Sequence, residues 1–258
     1  MRFPIEIPVI NDASRHENAK RGMVVSDLHL FRNISYGEQA WLQLQRRLSE
    51  LDFVILNGDI FEFRWTVKET LEATEIAAIY WLKTQLRDFP ELQFHYILGN
   101  HDSLDSFHLR LVQLAQSEER LSIFPAWARI GSTLIFHGDL PLFKPEQDIF
   151  RRKLKSINMR KGYLWKLSHK ILFRPVIRRA ATLFFNAPRC SRWLGRAFSM
   201  KQYPQLKGIS SVFFGHTHSP FHNYRCQNIT FHNTGAAVTG SKFRPLELRV
   251  PIVKIIGG

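Results

Sequence analysis

The first half of the chain alternates short apolar runs with longer amphipathic stretches. Apolar runs at 22–25, 53–56, 94–98, 133–136 and 212–214 each read as a buried strand. Between them, 38–50 sets Trp41, Leu42, Leu44 and Leu48 among polar residues and predicts a surface helix. A longer helix is predicted over 67–88, ended by Pro90. A third is predicted over 104–116, where Leu104, Phe107, Leu111 and Leu114 recur every three or four residues. Such alternation predicts βαβ units and an α/β fold.

Past residue 139 the pattern changes. From 146 to about 205 no strand signal appears, but apolar residues recur at helical intervals. Leu154 and Ile157 form one group, and Leu164, Leu167 and Ile171 a second. Val176, Ala180, Leu183 and Phe184 form a third, and Trp193, Ala197 and Phe198 a fourth. Gly162, Pro175 and Pro188 punctuate them. The expected organisation is one domain over 1–258, with 145–207 inserted between two strands as a basic helical lid. The sheet pattern resumes at 212, continues at 228–232, and ends in a last strand over 246–256.

Composition narrows the class. A chain of 258 residues with 45% hydrophobic residues has enough apolar side chains for a packed domain, which argues against disorder. Pro4 and Glu6 interrupt the start where a signal peptide needs an unbroken apolar core. No stretch reaches the roughly 18 apolar residues of a membrane span. With only Cys190 and Cys226, a disulfide framework is not expected, and a reducing cytoplasm is. The net charge is +14, and no acidic residue occurs between Asp148 and Glu247. That half is expected to face something anionic, with nucleic acid, anionic lipid or a phosphorylated substrate as candidates.

The candidate chemistry sits just after the strand runs. Asp27-Leu28-His29, Gly58-Asp59, Gly99-Asn100-His101-Asp102, His137-Gly138-Asp139 and Gly215-His216-Thr217-His218 each follow one within a residue or so. Side chains at strand ends converge on one sheet edge, where α/β proteins place their sites. Carboxylate, imidazole and amide donors without thiolate suit Mn²⁺, Fe or Zn²⁺. Two such ions about 3.5–4 Å apart would supply a nucleophile and hold phosphoryl oxygens, and Asp59 is the natural bridging carboxylate. Asp102 and Asp139 are expected to orient histidines or cap turns. Glu62 reads equally as a supporting residue or a polar loop position. His16, His95, His108, His169, His222 and His232 are expected to be structural or at the surface.

Taken together, these motifs resemble the calcineurin-like metallophosphoesterase superfamily over about residues 22–235. The resemblance implies a sandwich of two mixed β-sheets flanked by helices. It implies that Asp27, His29, Asp59 and His218 hold one divalent ion and Asp59, Asn100, His137 and His216 the other, with Mn²⁺ the leading choice. His101 would stabilise charge or protonate the leaving oxygen.

More narrowly, Ser26-Asp27-Leu28-His29-Leu30, Gly58-Asp59-Ile60-Phe61-Glu62 followed by Trp65, His137-Gly138-Asp139 and the Gly-His-Thr-His-Ser-Pro run at 215–220 resemble the UDP-2,3-diacylglucosamine pyrophosphatases of lipid A synthesis. The chain departs from them at His101, where several members have Arg. It departs again at Asn233-Thr234-Gly235-Ala236-Ala237, where others have Gly-Asp-Trp. This likeness implies hydrolysis of an amphipathic nucleotide-sugar lipid to UMP and a lipid sugar phosphate. The enzyme would be cytoplasmic and peripheral to the inner membrane, touching its anionic surface through 150–207. The same metals serve an alternative, a phosphodiesterase or nuclease whose basic half holds a phosphate backbone.

Overall fold

A computed structural model describes residues 9–11, 19–139, 184, 186–199, 207–251 and 255–257. In chain order the elements are β1 Val9–Asn11, β2 Lys20–Val25, α1 Gly37–Leu48, β3 Phe53–Asn57, α2 Leu71–Asp88, β4 Gln93–Ile97, α3 Asp105–Ser117 and β5 Leu121–Phe124. They continue with β6 Trp127–Ile130, β7 Thr133–Phe136, α4 Ala187–Ser199, β8 Ser211–Phe214, β9 Phe221–Cys226, β10 Ile229–Asn233, β11 Leu246–Val250 and β12 Ile255–Gly257.

The strands form two six-stranded sheets, ordered β1-β11-β2-β3-β4-β5 and β12-β6-β7-β8-β10-β9. In the first, β2, β3, β4 and β5 run parallel and β11 pairs antiparallel to β2. In the second, β7, β8 and β10 are parallel, with antiparallel β6 and β9 outside them.

Period-two alternation explains the architecture. On the first sheet Val24, Ile55 and Ile97 face Ala128, Ile130, Ile135 and Phe213 of the second, forming an apolar layer between the sheets. The alternate residues Met23, Val54, Leu56, Phe94 and Tyr96 pack under the helices instead. Strands buried on both faces have to be apolar throughout, hence the unbroken runs in the sequence.

The helices α1, α2 and α3 cover the first sheet with Trp41, Leu44 and Leu48, Leu82 and Leu86, and Phe107 and Leu111. Each such side chain contributes about 1.5–3 kcal/mol on burial. Leu42, one position off this face, is 61% exposed. Trp41 keeps its indole N–H satisfied by donating to Gln85 Oε1 at 2.7 Å.

Several expected boundaries moved. The helix predicted from 67 begins at Leu71, because the Thr70 hydroxyl accepts from the Ala73 N–H and caps it. The single strand predicted over 246–256 is two strands in different sheets: β11 joins β2, and β12 joins β6. Pro251 follows β11 directly and has no N–H to continue the ladder.

The strands β1, β5, β6 and β9 were not predicted. At β9, Phe-His-Asn-Tyr-Arg-Cys is half polar because this edge strand is only partly buried.

Of the predicted lid, most lies outside the described residues. The described helix α4 carries Pro188 in its first turn, where a proline costs no hydrogen bond, so the residue read as punctuation belongs to a helix. Its Cys190 and Leu194 pack on the outer face of the second sheet with Phe231 and Ile229. No helix among the described residues is long and apolar enough to cross a membrane.

Candidate metal centre

The loops that follow β2, β3 and β4 of one sheet and β7 and β8 of the other meet at a common edge. Backbone bonds zip the first two together: Asp27 N–H donates to Gly58 O at 3.0 Å, and His29 N–H to Asp59 O at 2.9 Å. The Gly215 N–H donates to His137 O at 2.8 Å and ties the two loops of the second sheet. Across the sandwich, His216 N–H reaches the Asp27 carboxylate at 3.1 Å.

Five of the predicted ligands have left-handed backbone: Asp27 at φ 53°, His29 at 46°, Asp59 at 52°, His216 at 63° and His218 at 56°. Non-glycine residues held there cost about 1–3 kcal/mol each, and such strain collects at functional sites. Two glycines make the close approach possible. A Cβ on Gly58 would lie 2.6 Å from the His137 ring, and one on Gly215 would overlap the Asp27 carboxylate.

All eight predicted site residues come together. One group is Asp27, His29 and His218, and a second is Asp59, His137 and His216. His29 Nε2 lies 3.3 Å from His218 Nε2, and His218 Nε2 lies 3.3 Å from Asp27 Oδ1. Asp59 sits between the groups, with Oδ2 3.1 Å from His137 Nε2 and 3.9 Å from His29 Nε2. Asn100 Oδ1 lies 2.9 Å from His216 Nδ1. Asp27, His29, Asp59 and His137 form a buried floor, while Asn100, His101, His216 and His218 stand at a partly open rim.

The donor atoms fit a cation. His137 Nδ1 faces the Asn57 carbonyl at 3.0 Å, which places a proton there and turns Nε2 toward Asp59. Burial works against the His137 imidazolium, but Asp59 and Asp27 outweigh it and push its pKa up to about 10. Such a concentration of buried carboxylate charge favours positive charge at Nε2, which a divalent ion supplies in place of the proton.

Glu62, left open by the sequence, has a defined place. Its Oε1 accepts from the N–H groups of Arg64 and Trp65 at 3.0 Å each and lies 2.8 Å from His101 Nδ1. Its Oε2 lies 3.4 Å from both His29 Nδ1 and Arg32 Nη1. Burial would raise its pKa, but His101 and His29 hold it well below the usual carboxylate range. Glu62 thus hydrogen-bonds the His101 imidazole and sets its second oxygen beside that of His29.

Asp102 caps backbone rather than orienting a histidine. It accepts from Ile60 N–H at 2.9 Å, Gly99 N–H at 2.6 Å and Tyr96 O–H at 2.7 Å. Burial, reinforced by Asp59, pushes its pKa up to about 6. Asp139 adds to the field that keeps His137 protonated.

Sequence reading gave no role at the site to Arg32, Ser26, Asn233 or Thr234. The Ser26 hydroxyl donates to Asp27 and bonds Thr234. Asn233 Nδ2 donates to Gly215 O at 2.9 Å and Thr217 Oγ1 at 3.1 Å, and so holds the His216–His218 loop. The available signal was the polar Asn233-Thr234-Gly235 run directly after a strand.

The family model for calcineurin-like phosphoesterases matches residues 21–220. The chain belongs to this family. It is accordingly a metal-dependent hydrolase of the metallophosphoesterase type, built for two divalent ions. No curated protein matches it. Among solved structures it is similar to a dimetal phosphatase from Danio rerio, with 10% identity, 85% of this chain and 88% of that chain covered, and a TM-score of 0.45. The calcineurin-like phosphoesterase fold predicted from the motifs is the observed two-sheet α/β sandwich.

Proposed function

We propose that this metallophosphoesterase hydrolyses the pyrophosphate bond of UDP-2,3-diacylglucosamine, releasing UMP and 2,3-diacylglucosamine 1-phosphate. The observation that carries the reading is the convergence of five strand-end motifs on one edge, with Asp59 Oδ2 placed 3.1 Å from His137 Nε2 of one ligand group and 3.9 Å from His29 Nε2 of the other. Asp27, His29, Asp59 and His218 hold one ion, and Asp59, Asn100, His137 and His216 the other, with Mn²⁺ preferred for this oxygen- and nitrogen-rich set. Bound ions supply an activated nucleophile and neutralise charge on phosphoryl oxygens.

The chain's own groups do the rest. His101 stands at the rim with 16% of its side chain exposed, its Nδ1 held by Glu62. Burial opposes its protonation, but Glu62 and Asp59 outweigh it and raise its pKa, which favours the protonated ring. That proton is available to the leaving oxygen as the bond to the α-phosphorus breaks. The buried Arg32 beside Glu62 adds positive charge below the rim.

The lipid end of the substrate is supported by the acid-free stretch at 149–246 and by α4 within it. Trp193 is 45% and Phe184 58% exposed, interleaved with exposed Arg189 and Arg192. This composition suits contact with an anionic membrane surface on the cytoplasmic side. The same charge also favours a second reading, a phosphodiesterase or nuclease acting on nucleotides or nucleic acid.

The test is UMP release from UDP-2,3-diacylglucosamine, with and without Mn²⁺, alongside the Asp59→Ala variant. Metal-dependent release that the variant loses supports the proposal. Metal-dependent cleavage of a generic phosphodiester without any UMP release leaves the hydrolase in place and removes this substrate. Steep salt-dependent binding to DNA or RNA, with no sedimentation on anionic vesicles, would favour the second reading.

A further inference from the structure

The outward face of α2 is patterned in a way that neither the fold nor the metal centre requires. Glu72, Ile76, Tyr80 and Lys83 follow one another at three- and four-residue steps and so form one stripe along the helix. The stripe begins acidic, continues apolar and ends basic. Ile76 is 54% and Tyr80 71% exposed, and on the adjacent α3 Leu109 is 63% exposed. Beside the stripe runs a groove of about 400 Å³ whose lining includes Ile76, Ile79, Tyr80, Lys83, Arg110 and Leu114.

We infer that this face docks a second copy of the chain, with the two α2 helices antiparallel about a two-fold axis near residue 78. Under that axis Ile76 lies against Tyr80 of the second copy, and Tyr80 against its Ile76. Each Glu72 comes beside the Lys83 of the other copy, so acid meets base twice. A parallel arrangement would instead set acid on acid and base on base.

Self-complementarity of this kind is what an isologous two-fold contact demands. Charge is the second argument. The chain carries +14 overall, yet here Glu72 and Glu75, both beside Arg110 of α3, offset that arginine and Lys83, with Ile76 and Tyr80 between them. It is therefore a place where two strongly basic molecules approach without local repulsion. An 18-residue helix offers a contact about 27 Å long. The exposed Tyr80 supplies a rigid aromatic anchor for the groove of the other copy.

Analytical ultracentrifugation of the full chain, from low-micromolar to hundred-micromolar concentration, tests this. The expected result is a reversible dimer. Ile76→Glu, a change at an exposed position, is expected to weaken it about 100-fold. Lys83→Glu alone is expected to weaken it about tenfold, and adding Glu72→Lys to that variant is expected to restore it. Restoration by the double reversal is the decisive outcome, since a merely misfolded variant would not recover. A wild-type chain that stays monomeric throughout overturns the inference. So does a dimer indifferent to Ile76→Glu, or a double reversal that fails to restore pairing.

Discussion

Two buried histidines, His137 and His95, show how differently one side chain behaves on neighbouring parts of the same sandwich. His137 sits at the sheet edge against Asp59 and Asp27, whose charge overcomes burial and pushes its pKa up to about 10. His95 lies on β4 in the layer between the sheets, its ring 5.8 Å from that of Phe53 and 6.1 Å from that of Phe124. Among the described residues no carboxylate opposes burial there, and the pKa is pushed down to about 4. His232, stacked 4.4 Å from Phe213, is likewise held down to about 3, by burial and then by His222. Burial alone makes a histidine neutral and inert. Burial with paired carboxylates makes it part of a charged cluster that a metal ion can complete.

The comparison breaks most completely at Asp59. Asp59→Ala removes the shared carboxylate, and the expected result is a loss of hydrolytic rate of at least about 10³-fold. In the metal-free variant the His137 pKa should also fall steeply toward the behaviour of His95, which NMR titration of its ring protons would read. A His137 that stays protonated far above neutrality in that variant would refute the electrostatic account.

Next in size is an effect on stability. The folded pKa of His95, about 4, lies below the unfolded value of 6.5. Between those values the unfolded chain takes up a proton that the folded chain refuses. The contribution of neutral His95 is therefore complete above pH 6.5 and is lost as pH falls toward 4, by up to about 3 kcal/mol. Replacing His95 with Phe should flatten this part of the stability curve, measured by urea unfolding at several pH values. An unchanged acid slope would show that other groups carry it.

Glu62→Gln sharpens the site half of the comparison. It keeps the shape but removes the charge that holds His29 and His101, and should lower activity or metal affinity about 10–100-fold. Thermal unfolding and metal titration together would separate loss of the fold from loss of positioning. The smallest expected effect lies away from both environments. Thr70→Ala deletes the cap of α2 and should cost about 1 kcal/mol, seen as a lowered melting temperature at unchanged rate.

Much of the site was legible because its residues are local in sequence. Asp27 and His29, Asn100 and His101, and His216 and His218 each fall within three residues of one another, directly after an apolar run. Glu62 could not be decided from sequence, because its role depends on His29 and His101, which are brought to it by two other loops. The roles of Asn233 and Thr234 could not be assigned for the same reason. Nothing near them in sequence marks the His216–His218 loop or Asp27 as their partners. The strands missed, such as β9, are edges whose half-polar pattern carries little periodic signal.

By itself, the sequence determined the strand–helix alternation, the order of the motifs and the chemical nature of the ligands, since those rest on residue type and short-range spacing. The tertiary structure decided that residues 246–257 divide between two sheets, and that Glu62 serves two histidines. It also decided which buried histidines have carboxylates beside them and which do not. The physical reason is the same in each case. Ladder pairing, burial and electrostatic field arise between segments far apart in the chain, and their sum has a sign only once those segments are packed together.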